Sequence, residues 1–215
     1  GTASYACLSG VYLFSKIAKK HVNFSIGSEF TYIEDYIKEG SLVAAISQSG
    51  ETIDVVEPFG IAKKKGATML AMTNVLGSTL YRMANKRLML LAGPEKAVCG
   101  TKSFVAMVAN MILLAYAVSG DLKAGSEILE KSALEVERIL QNTDPIKELA
   151  EKIHKKDHVY ILGRGLSYPL ALEAALKIKE ISYIHAEGFA GGELKHGVIA
   201  LIEKGTPVMV FVPND

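Results

Sequence analysis

The sequence of 215 residues has no tryptophan, only two cysteines and almost no net charge. Cys7 and Cys99 lie in unrelated local contexts and form no C-x-x-C pattern, which is typical of a reducing compartment rather than of a disulfide scaffold. The 24 Lys and Arg residues almost balance the 23 Asp and Glu residues. Because a nucleic-acid-binding domain usually carries a basic excess, we expect no nucleic-acid partner.

Long apolar runs are also missing. The longest one, residues 104–118, is interrupted by Asn110 and is shorter than the roughly 18 residues that a bilayer-spanning helix requires. No signal-peptide pattern opens the chain, so we expect a cytoplasmic protein with no membrane partner. The chain starts without Met and ends just after an apolar run, which indicates a piece of a longer protein.

Short apolar runs alternate with longer helical patterns along the chain. Runs of strand length occupy residues 42–46, 68–72, 88–91, 158–162 and 208–212. Runs that are apolar on both faces and separated by helices favour parallel sheets covered on both sides, so the predicted class is α/β. We expect one α/β unit over residues 1–121. Residues 122–215 are expected to hold linking helices and a second, incomplete unit with only two clear strand signals.

The turn after the first predicted strand concentrates small polar side chains. Ser47, Gln48, Ser49, Gly50 and Thr52 stand between a buried strand and the next helix. In open parallel sheets, ligands bind outside the carboxyl ends of the strands, and the amides at a helix N-terminus suit a phosphate. We interpret the turn as a phosphate-binding loop, and the alternative is that Ser49 or Thr52 merely caps the helix. It is not a P-loop, since no G-x-x-x-x-G-K-[ST] motif is present.

Two other ligand classes find little support. The turn at residues 162–167 contains Gly163 and Gly165 but lacks the third glycine of a dinucleotide fingerprint, so we expect a tight turn and no NAD. The five histidines show no metal-ligand spacing, and no H-E-x-x-H motif occurs. We therefore expect no metal site.

Three charged residues form one stripe on an otherwise apolar predicted helix, residues 167–181. Glu173, Lys177 and Glu180 are spaced by four and three residues, which places them on the same helix face. The stripe is either a solvated ion-pair face or the lining of a cleft. In a cleft, Glu180 is placed to move a proton at carbon, and Lys177 to hold the substrate or to support that carboxylate.

His196 lies between Lys195 and Gly197 in a glycine-rich segment, residues 190–197. That context predicts a short exposed turn rather than a core position. An exposed imidazole there is suited to acid/base chemistry near neutral pH. A surface histidine without a role is the equal alternative.

Three segments taken together resemble one protein family. They are residues 47–52 (Ser-Gln-Ser-Gly-Glu-Thr), residues 176–187, and residues 192–197 (Gly-Glu-Leu-Lys-His-Gly). Over essentially its whole length, the sequence resembles the isomerase half of the glucosamine-6-phosphate synthases, also called glutamine–fructose-6-phosphate aminotransferases. The resemblance implies two sugar-isomerase (SIS) domains, each a parallel sheet between helices, with the second one C-terminally truncated.

The resemblance also implies roles for individual residues. Glu180 would carry a proton between C1 and C2 with Lys177 beside it, and His196 would assist ring opening. In the family this histidine reaches the site of the neighbouring subunit, which implies a homodimer. The polar loop would hold the sugar phosphate, and Val98 would border the sugar. The implied substrate-binding positions are Thr2, Ser47, Gln48, Ser49, Thr52 and Val98.

The implied reaction converts fructose 6-phosphate and ammonia to glucosamine 6-phosphate without a metal or an organic cofactor. The implied partners are the phosphosugar, a second copy of the chain, and a glutaminase domain in the parent chain. Two other interpretations share the fold. One is a SIS-type regulatory module that senses a phosphosugar, which needs neither Glu180 nor His196. The other is a deglycase that acts on a fructosamine phosphate.

Three departures from the family pattern bear on these expectations. Ala3 stands where the opening loop of the family usually has serine, and Gly100 replaces a second serine. Each change removes or displaces a hydroxyl near the expected sugar site. The Schiff-base lysine of the family lies beyond Asp215, so we do not expect these 215 residues alone to run the full reaction.

Overall fold

The computed structural model describes residues 1–213 and contains two three-stranded parallel sheets. The chain divides into two compact units, one around each sheet. The first unit holds residues 2–11 and 20–112, and the second holds residue 1, residues 12–19 and the chain from residue 113 onward. Parallel sheets with helices between their strands confirm the predicted α/β class. The domain boundary between residues 121 and 122 stays a prediction.

The first unit alternates helices and strands in chain order. It opens with α1 (Thr2–Leu13), which is followed in the chain by a π-helical turn (Phe14–Ala18) that belongs to the second unit, and then by α2 (Gly27–Phe30) and a 3-10 turn (Glu34–Tyr36). The sheet region follows as β1 (Leu42–Ser47), α3 (Ile53–Lys64), β2 (Thr68–Thr73), α4 (Thr79–Met83) and β3 (Lys86–Met89). After it comes the long helix α5 (Lys102–Ser119). Helices α1 and α5 each contribute residues to both units.

The first sheet has the strand order β1-β2-β3, and both pairs are parallel. The central strand β2 is buried from Met69 to Thr73, as expected for a strand covered on both faces. Ser47 pairs with Thr73 at the carboxyl ends of β1 and β2, so the loops after these strands open at the same edge. One buried core cluster of this unit contains Ile37, Ala45, Phe59, Ala62, Ala67, Met69, Ala71, Leu80 and Ala84.

The position of β3 differs from the prediction. The apolar run predicts a strand at residues 88–91, whereas the strand spans Lys86–Met89. β3 is an edge strand, so its first two residues, Lys86 and Arg87, are exposed and carry no apolar signal. The chain then leaves the sheet through Leu91, which adopts a left-handed conformation with a φ of 56°.

Leu91→Asn is expected to raise the free energy of unfolding by about 0.5–1 kcal/mol, because asparagine tolerates the left-handed region better than leucine. Leu91 is exposed, so the substitution loses little burial. Leu76→Asn is the matched control, since Leu76 is also exposed and has no positive φ. Urea unfolding measures both variants. A Leu91→Asn protein no more stable than wild type would contradict the prediction.

The second unit contains the helices α6 (Leu122–Leu140) and α7 (Asp144–Ile153), followed by a second sheet. The sheet consists of β4 (His158–Gly163), β5 (His185–Ala190) and β6 (Val208–Val210), with α8 (Ser167–Ser182) between β4 and β5. Two 3-10 turns, Glu193–His196 and Val198–Leu201, connect β5 to β6. The strand order is β5-β4-β6, all parallel. One buried core cluster of this unit contains Val159, Ile161, Ala171, Ala175 and Ala186.

Strand β5 has no counterpart among the strands predicted from the sequence. Its sequence, His-Ala-Glu-Gly-Phe-Ala, mixes polar and apolar residues and forms no continuous apolar run. A Cβ at Gly188 would lie 2.7 Å from Ala171 O of α8, so β5 approaches the helix as closely as it does only because glycine stands there. A hydropathy pattern treats such a glycine as a break, although it marks a close backbone approach.

Helix α5 corrects the expectation about long apolar segments. Its 18 residues have a mean hydropathy of 1.6, so by length and composition it is able to cross a membrane. The prediction missed this because the helix extends beyond the apolar run 104–118 at both ends. Of its residues, 28% are buried, among them Phe104, Met107 and Met111. The core helix of a globular protein meets the same criteria, so α5 by itself is weak support for a membrane span.

Candidate functional site

The polar turn after β1 folds back on itself at the carboxyl end of the first sheet. Ser47 is buried, and its Oγ accepts a hydrogen bond from Gly50 N at 3.0 Å and lies 2.9 Å from Thr52 Oγ1. Ser49 Oγ accepts a hydrogen bond from Glu51 N at 3.2 Å. These bonds bring the hydroxyls of Ser47 and Thr52 together directly before α3.

Helix capping does not account for the hydroxyl of Thr52. Thr52 precedes α3, and its backbone oxygen accepts hydrogen bonds from Val55 N and Val56 N, both at 2.9 Å. Its hydroxyl makes no capping bond and contacts Ser47 instead. The first amides of a helix have no intrahelical acceptor, and the helix dipole favours negative charge there. The start of α3 is therefore suited to a phosphate group.

A second loop supports this turn from the end of β2. Asn74 N donates to Gln48 O, and Leu80 N donates to Gly50 O, both at 3.0 Å. Gly50 is buried with a φ of 69°, and a Cβ there would overlap the buried hydroxyl of Ser78. This loop is not among the site segments predicted from the sequence. The available signal was its position, since it follows β2 at the same edge of the sheet.

The other predicted substrate positions of the first unit lie at the loop before α5. Val98 is within this loop, and Thr2 is near it. Thr2 opens α1 and is half-buried, whereas Val98 is fully exposed. A Cβ at Gly100 would lie 2.9 Å from Ser103 Oγ and 3.8 Å from Thr2 Cγ2. The Ser103 hydroxyl therefore lies beside the position where Gly100 lacks a side chain. Ser103 thus supplies a hydroxyl close to the position where a serine in place of Gly100 would carry one.

Glu95 is not among the residues singled out from the sequence. It belongs to the loop before α5, and its side chain lies at the start of that helix. Glu95 Oε2 accepts a hydrogen bond from Ser103 N at 3.1 Å. Hydrogen bonding to Ser103 is the main reason why the pKa of Glu95 lies below its usual value. A carboxylate therefore already bonds to an amide in the first turn of α5, whereas the start of α3 is suited to a phosphate.

The charged stripe predicted on α8 is a cluster that is largely shielded from solvent. Lys177 Nζ lies 3.4 Å from Glu173 Oε1 and 2.5 Å from Glu180 Oε2. The side chains are 7% exposed for Glu173, 17% for Lys177 and 29% for Glu180. A solvated ion-pair face would be much more exposed, so these values argue against that alternative.

Lys177 is a permanent cation between two carboxylates. Burial by itself would lower the pKa of Lys177, but the hydrogen bond to Glu180 and the charges of both carboxylates outweigh burial and raise this pKa above its ordinary value. Lys177 is therefore an ammonium at neutral pH and does not act as a proton acceptor. Glu180 is the more exposed of its two partners, and so it is the carboxylate that a substrate is able to reach.

His196 ends the exposed 3-10 turn Glu193–His196, which agrees with the predicted exposed turn. It belongs to the same compact unit as Lys177 and Glu180. The phosphate loop, Thr2 and Val98 belong to the other unit. Each unit thus holds one of the two groups of predicted site residues.

Two further features of the second unit contain no predicted site residue. The turn between β4 and α8 is tight, as predicted, with a φ of 54° at Gly165. A groove of about 390 Å³ is lined by His158, Tyr160, His185, Leu201, Glu203 and Thr206. His158 and His185 begin β4 and β5, so the groove lies away from the carboxyl edge where such sheets bind ligands. Within residues 1–213, no three His, Cys, Asp or Glu side chains converge as metal ligands would.

Sequence comparisons relate the chain to one group of enzymes. The glutamine–fructose-6-phosphate aminotransferase [isomerizing] of Clostridium perfringens is 46% identical over 217 residues, covering 97% of this chain and 36% of that protein. The enzyme of the same name from Thermococcus kodakarensis is 44% identical, covering 100% of this chain and 37% of that protein. The chain thus spans little more than a third of the length of these relatives.

Solved structures show the same fold. The C-terminal domain of glucosamine-fructose-6-phosphate aminotransferase from Francisella tularensis matches with a TM-score of 0.90 at 38% identity, covering 100% of this chain and 63% of that chain. The tagatose-6-phosphate ketose/aldose isomerase from Escherichia coli shares the fold with a TM-score of 0.81 at 20% identity, covering 99% and 60%. The family model of the SIS domain matches residues 1–117 and 152–215. Because this match includes most of the sequence, the chain belongs to the SIS domain family.

Proposed function

We propose that this chain is the phosphosugar isomerase part of a glutamine–fructose-6-phosphate aminotransferase. The observation that carries the proposal is the shielded pair of Lys177 and Glu180 on α8 of a SIS-family chain, since proton transfer at carbon needs a positioned carboxylate. The names of the relatives and the match to a C-terminal domain support the assignment. The proposed reaction converts fructose 6-phosphate, with ammonia released from glutamine, to glucosamine 6-phosphate.

The sugar phosphate is proposed to bind at the start of α3. The hydroxyls of Ser47, Ser49 and Thr52 and the amide of Gln48 are suitable donors to phosphate oxygens. The first-turn amides of α3 add further donors and a favourable dipole. Thr2 and Val98 are proposed to contact the sugar.

Glu180 is proposed as both base and acid of the isomerisation. Ammonia first replaces the carbonyl oxygen on C2 of the open-chain ketose, which gives an imine at C2 and releases water. Glu180 takes a proton from C1, the C–H electron pair forms a C1=C2 double bond, and the imine nitrogen gains a proton. The same carboxyl returns a proton to C2 while the hydroxyl on C1 loses one, which yields an aldehyde at C1 and an amine at C2. Lys177 orients the carboxylate through its 2.5 Å contact.

His196 is proposed to move a proton during ring opening of the sugar. Its exposed position is compatible with action in the site of a second copy, so we also propose a homodimer. The parent protein is proposed to be cytoplasmic and to carry a glutaminase domain and two SIS domains, the first ending near residue 121. Among residues 1–213, no observation favours the phosphosugar-sensing module or the deglycase.

Thr52→Ala is expected to weaken the binding of fructose 6-phosphate by about 1.5–3 kcal/mol, the usual contribution of a hydrogen bond to a charged group. Calorimetric titration with fructose 6-phosphate and glucosamine 6-phosphate measures the loss. Thr68→Ala is the matched control, because Thr68 is exposed at the start of β2, at the opposite edge of the same sheet. A folded wild-type chain that binds neither sugar would contradict the proposed function. Unchanged binding by Thr52→Ala would contradict the role of the loop.

A further inference from the structure

Glu51 is the acidic residue of the phosphate loop, residues 47–52, and phosphate binding does not explain it. A carboxylate that faced the ligand would repel a phosphate dianion. In the structure, Glu51 is directed to the start of α4 instead, where its Oε1 accepts a hydrogen bond from Thr79 N at 2.8 Å. The loop therefore carries a negative charge that is bonded to a neighbouring element.

Side chains of α4 and the turn before it extend this contact. Hydrogen bonding to Thr79 is the main reason why the pKa of Glu51 lies below its usual value, and the charge of Arg82 adds to the effect. Arg82 Nη2 donates to Thr79 Oγ1 at 3.1 Å, and Arg82 Nη1 donates to Gly77 O. Arg82, Thr79 and Glu51 thus form one chain of hydrogen bonds from α4 to the phosphate loop.

The backbone attaches the loop independently of these side chains. Asn74 N donates to Gln48 O and Leu80 N donates to Gly50 O, both at 3.0 Å. We therefore expect the loop to stay folded when the Glu51 contact is weakened. Variants of Glu51 and Thr79 then test where the negative charge is placed rather than whether the loop forms.

From this geometry we propose that Glu51 is a positioning residue whose bond to Thr79 keeps its negative charge away from the phosphate site. The inference rests on the proposed phosphosugar function and deepens it, because it adds Thr79 and Arg82 to the residues that determine phosphate affinity. The inference predicts the direction in which phosphate affinity changes. Releasing the carboxylate weakens phosphate binding, whereas removing its charge does not.

The test compares wild type with Thr79→Pro, Glu51→Gln and the double variant. Thr79→Pro removes the backbone N–H that bonds to Glu51, and proline is tolerated there because Thr79 is the first residue of α4 and Ser78 before it is extended. Calorimetry with inorganic phosphate and with fructose 6-phosphate measures affinity, and urea unfolding establishes that each variant is folded. We expect Thr79→Pro to weaken both ligands by roughly fivefold, the scale of one partly exposed charge. Glu51→Gln and the double variant are expected to stay within about twofold of wild type.

The double variant separates charge placement from a structural role. A network that only stabilised the loop would make the double variant bind no better than Thr79→Pro. That result, or wild-type affinity in Thr79→Pro, would overturn the inference and leave the proposed function intact. A wild type that binds neither ligand would instead overturn the proposed function.

Asp54→Asn is the control for general electrostatics, because Asp54 is a second carboxylate in the first turn of α3. It removes the same charge from the same region without touching Thr79. Selective rescue of Thr79→Pro by Glu51→Gln supports the inference. Rescue by Asp54→Asn to the same extent would overturn it.

Discussion

Glu180→Gln is expected to slow proton transfer between C1 and C2 by about 10²–10⁴-fold, the range typical for the loss of a general acid/base. Glutamine keeps the shape of the side chain and still accepts a hydrogen bond from Lys177, which lies 2.5 Å from Glu180 Oε2. Its amide does not take up a proton from carbon. Substrate affinity is therefore expected to change much less than the rate. The measurements are the loss of deuterium from C1 of labelled fructose 6-phosphate and a calorimetric Kd, both in the full protein that contains this sequence.

Glu203→Gln is the matched control for this prediction. Glu203 is an exposed carboxylate of the same unit and lines the groove at the amino ends of the strands. Its variant is expected to exchange deuterium at the wild-type rate. A near wild-type rate in Glu180→Gln would contradict the proposed mechanism. A loss of rate matched by an equal loss of affinity would make Glu180 a binding residue instead of the proton carrier.

Gly50→Ala is expected to lower the free energy of unfolding of the first unit by about 2–5 kcal/mol and to weaken phosphosugar binding strongly. The left-handed backbone at Gly50 costs roughly 1–2 kcal/mol for a residue with a Cβ. The overlap of that Cβ with Ser78 adds an overpacking cost of roughly 1–3 kcal/mol. Relief of the overlap shifts the loop, and Ser47 and Thr52 shift with it.

Gly40→Ala separates these two costs. Gly40 also has a positive φ, 85°, but nothing lies within 4 Å of a Cβ there, so its variant is expected to lose only the conformational part. Ser78→Gly in the Gly50→Ala background is expected to recover the packing part. Urea unfolding and calorimetric titration measure all three variants. Equal losses of stability in Gly50→Ala and Gly40→Ala would contradict the packing argument.

Within residues 1–213, local patterns predicted the strands β1, β2, β4 and β6, whereas β3 was misplaced and β5 was missed. The runs that became β2 and β4 are apolar because these central strands are covered on both faces. β3 was displaced along the chain because its first residues are exposed, and β5 was missed because Gly188 and its polar neighbours interrupt the apolar signal. Helix α5 exceeded its apolar run because a helix is terminated by backbone geometry and capping, not by hydropathy.

The candidate site likewise combines features that the sequence predicted with features that it left open. The spacing of Glu173, Lys177 and Glu180 predicted one face of α8, and the contacts of Lys177 with both carboxylates confirm it. Spacing did not distinguish a shielded cluster from a solvated face, because exposure depends on what packs over the helix. The polar composition of the turn after β1 predicted a loop suited to phosphate, but it also left helix capping open. The hydroxyl of Thr52 bonds to Ser47, so Thr52 does not cap α3 with its side chain, and phosphate binding by the loop stays a proposal.

The sequence by itself determined the α/β class, the polar loop after β1 and the charged face of α8, since each depends on residues close together in the chain. Only the tertiary structure decided that Glu51 is directed to Thr79, a residue 28 positions away, and that Ser78 packs against Gly50. It also decided how far the cluster on α8 is shielded from solvent. The direction of a polar side chain is set by the donors that surround it, and folding brings those donors together from distant segments.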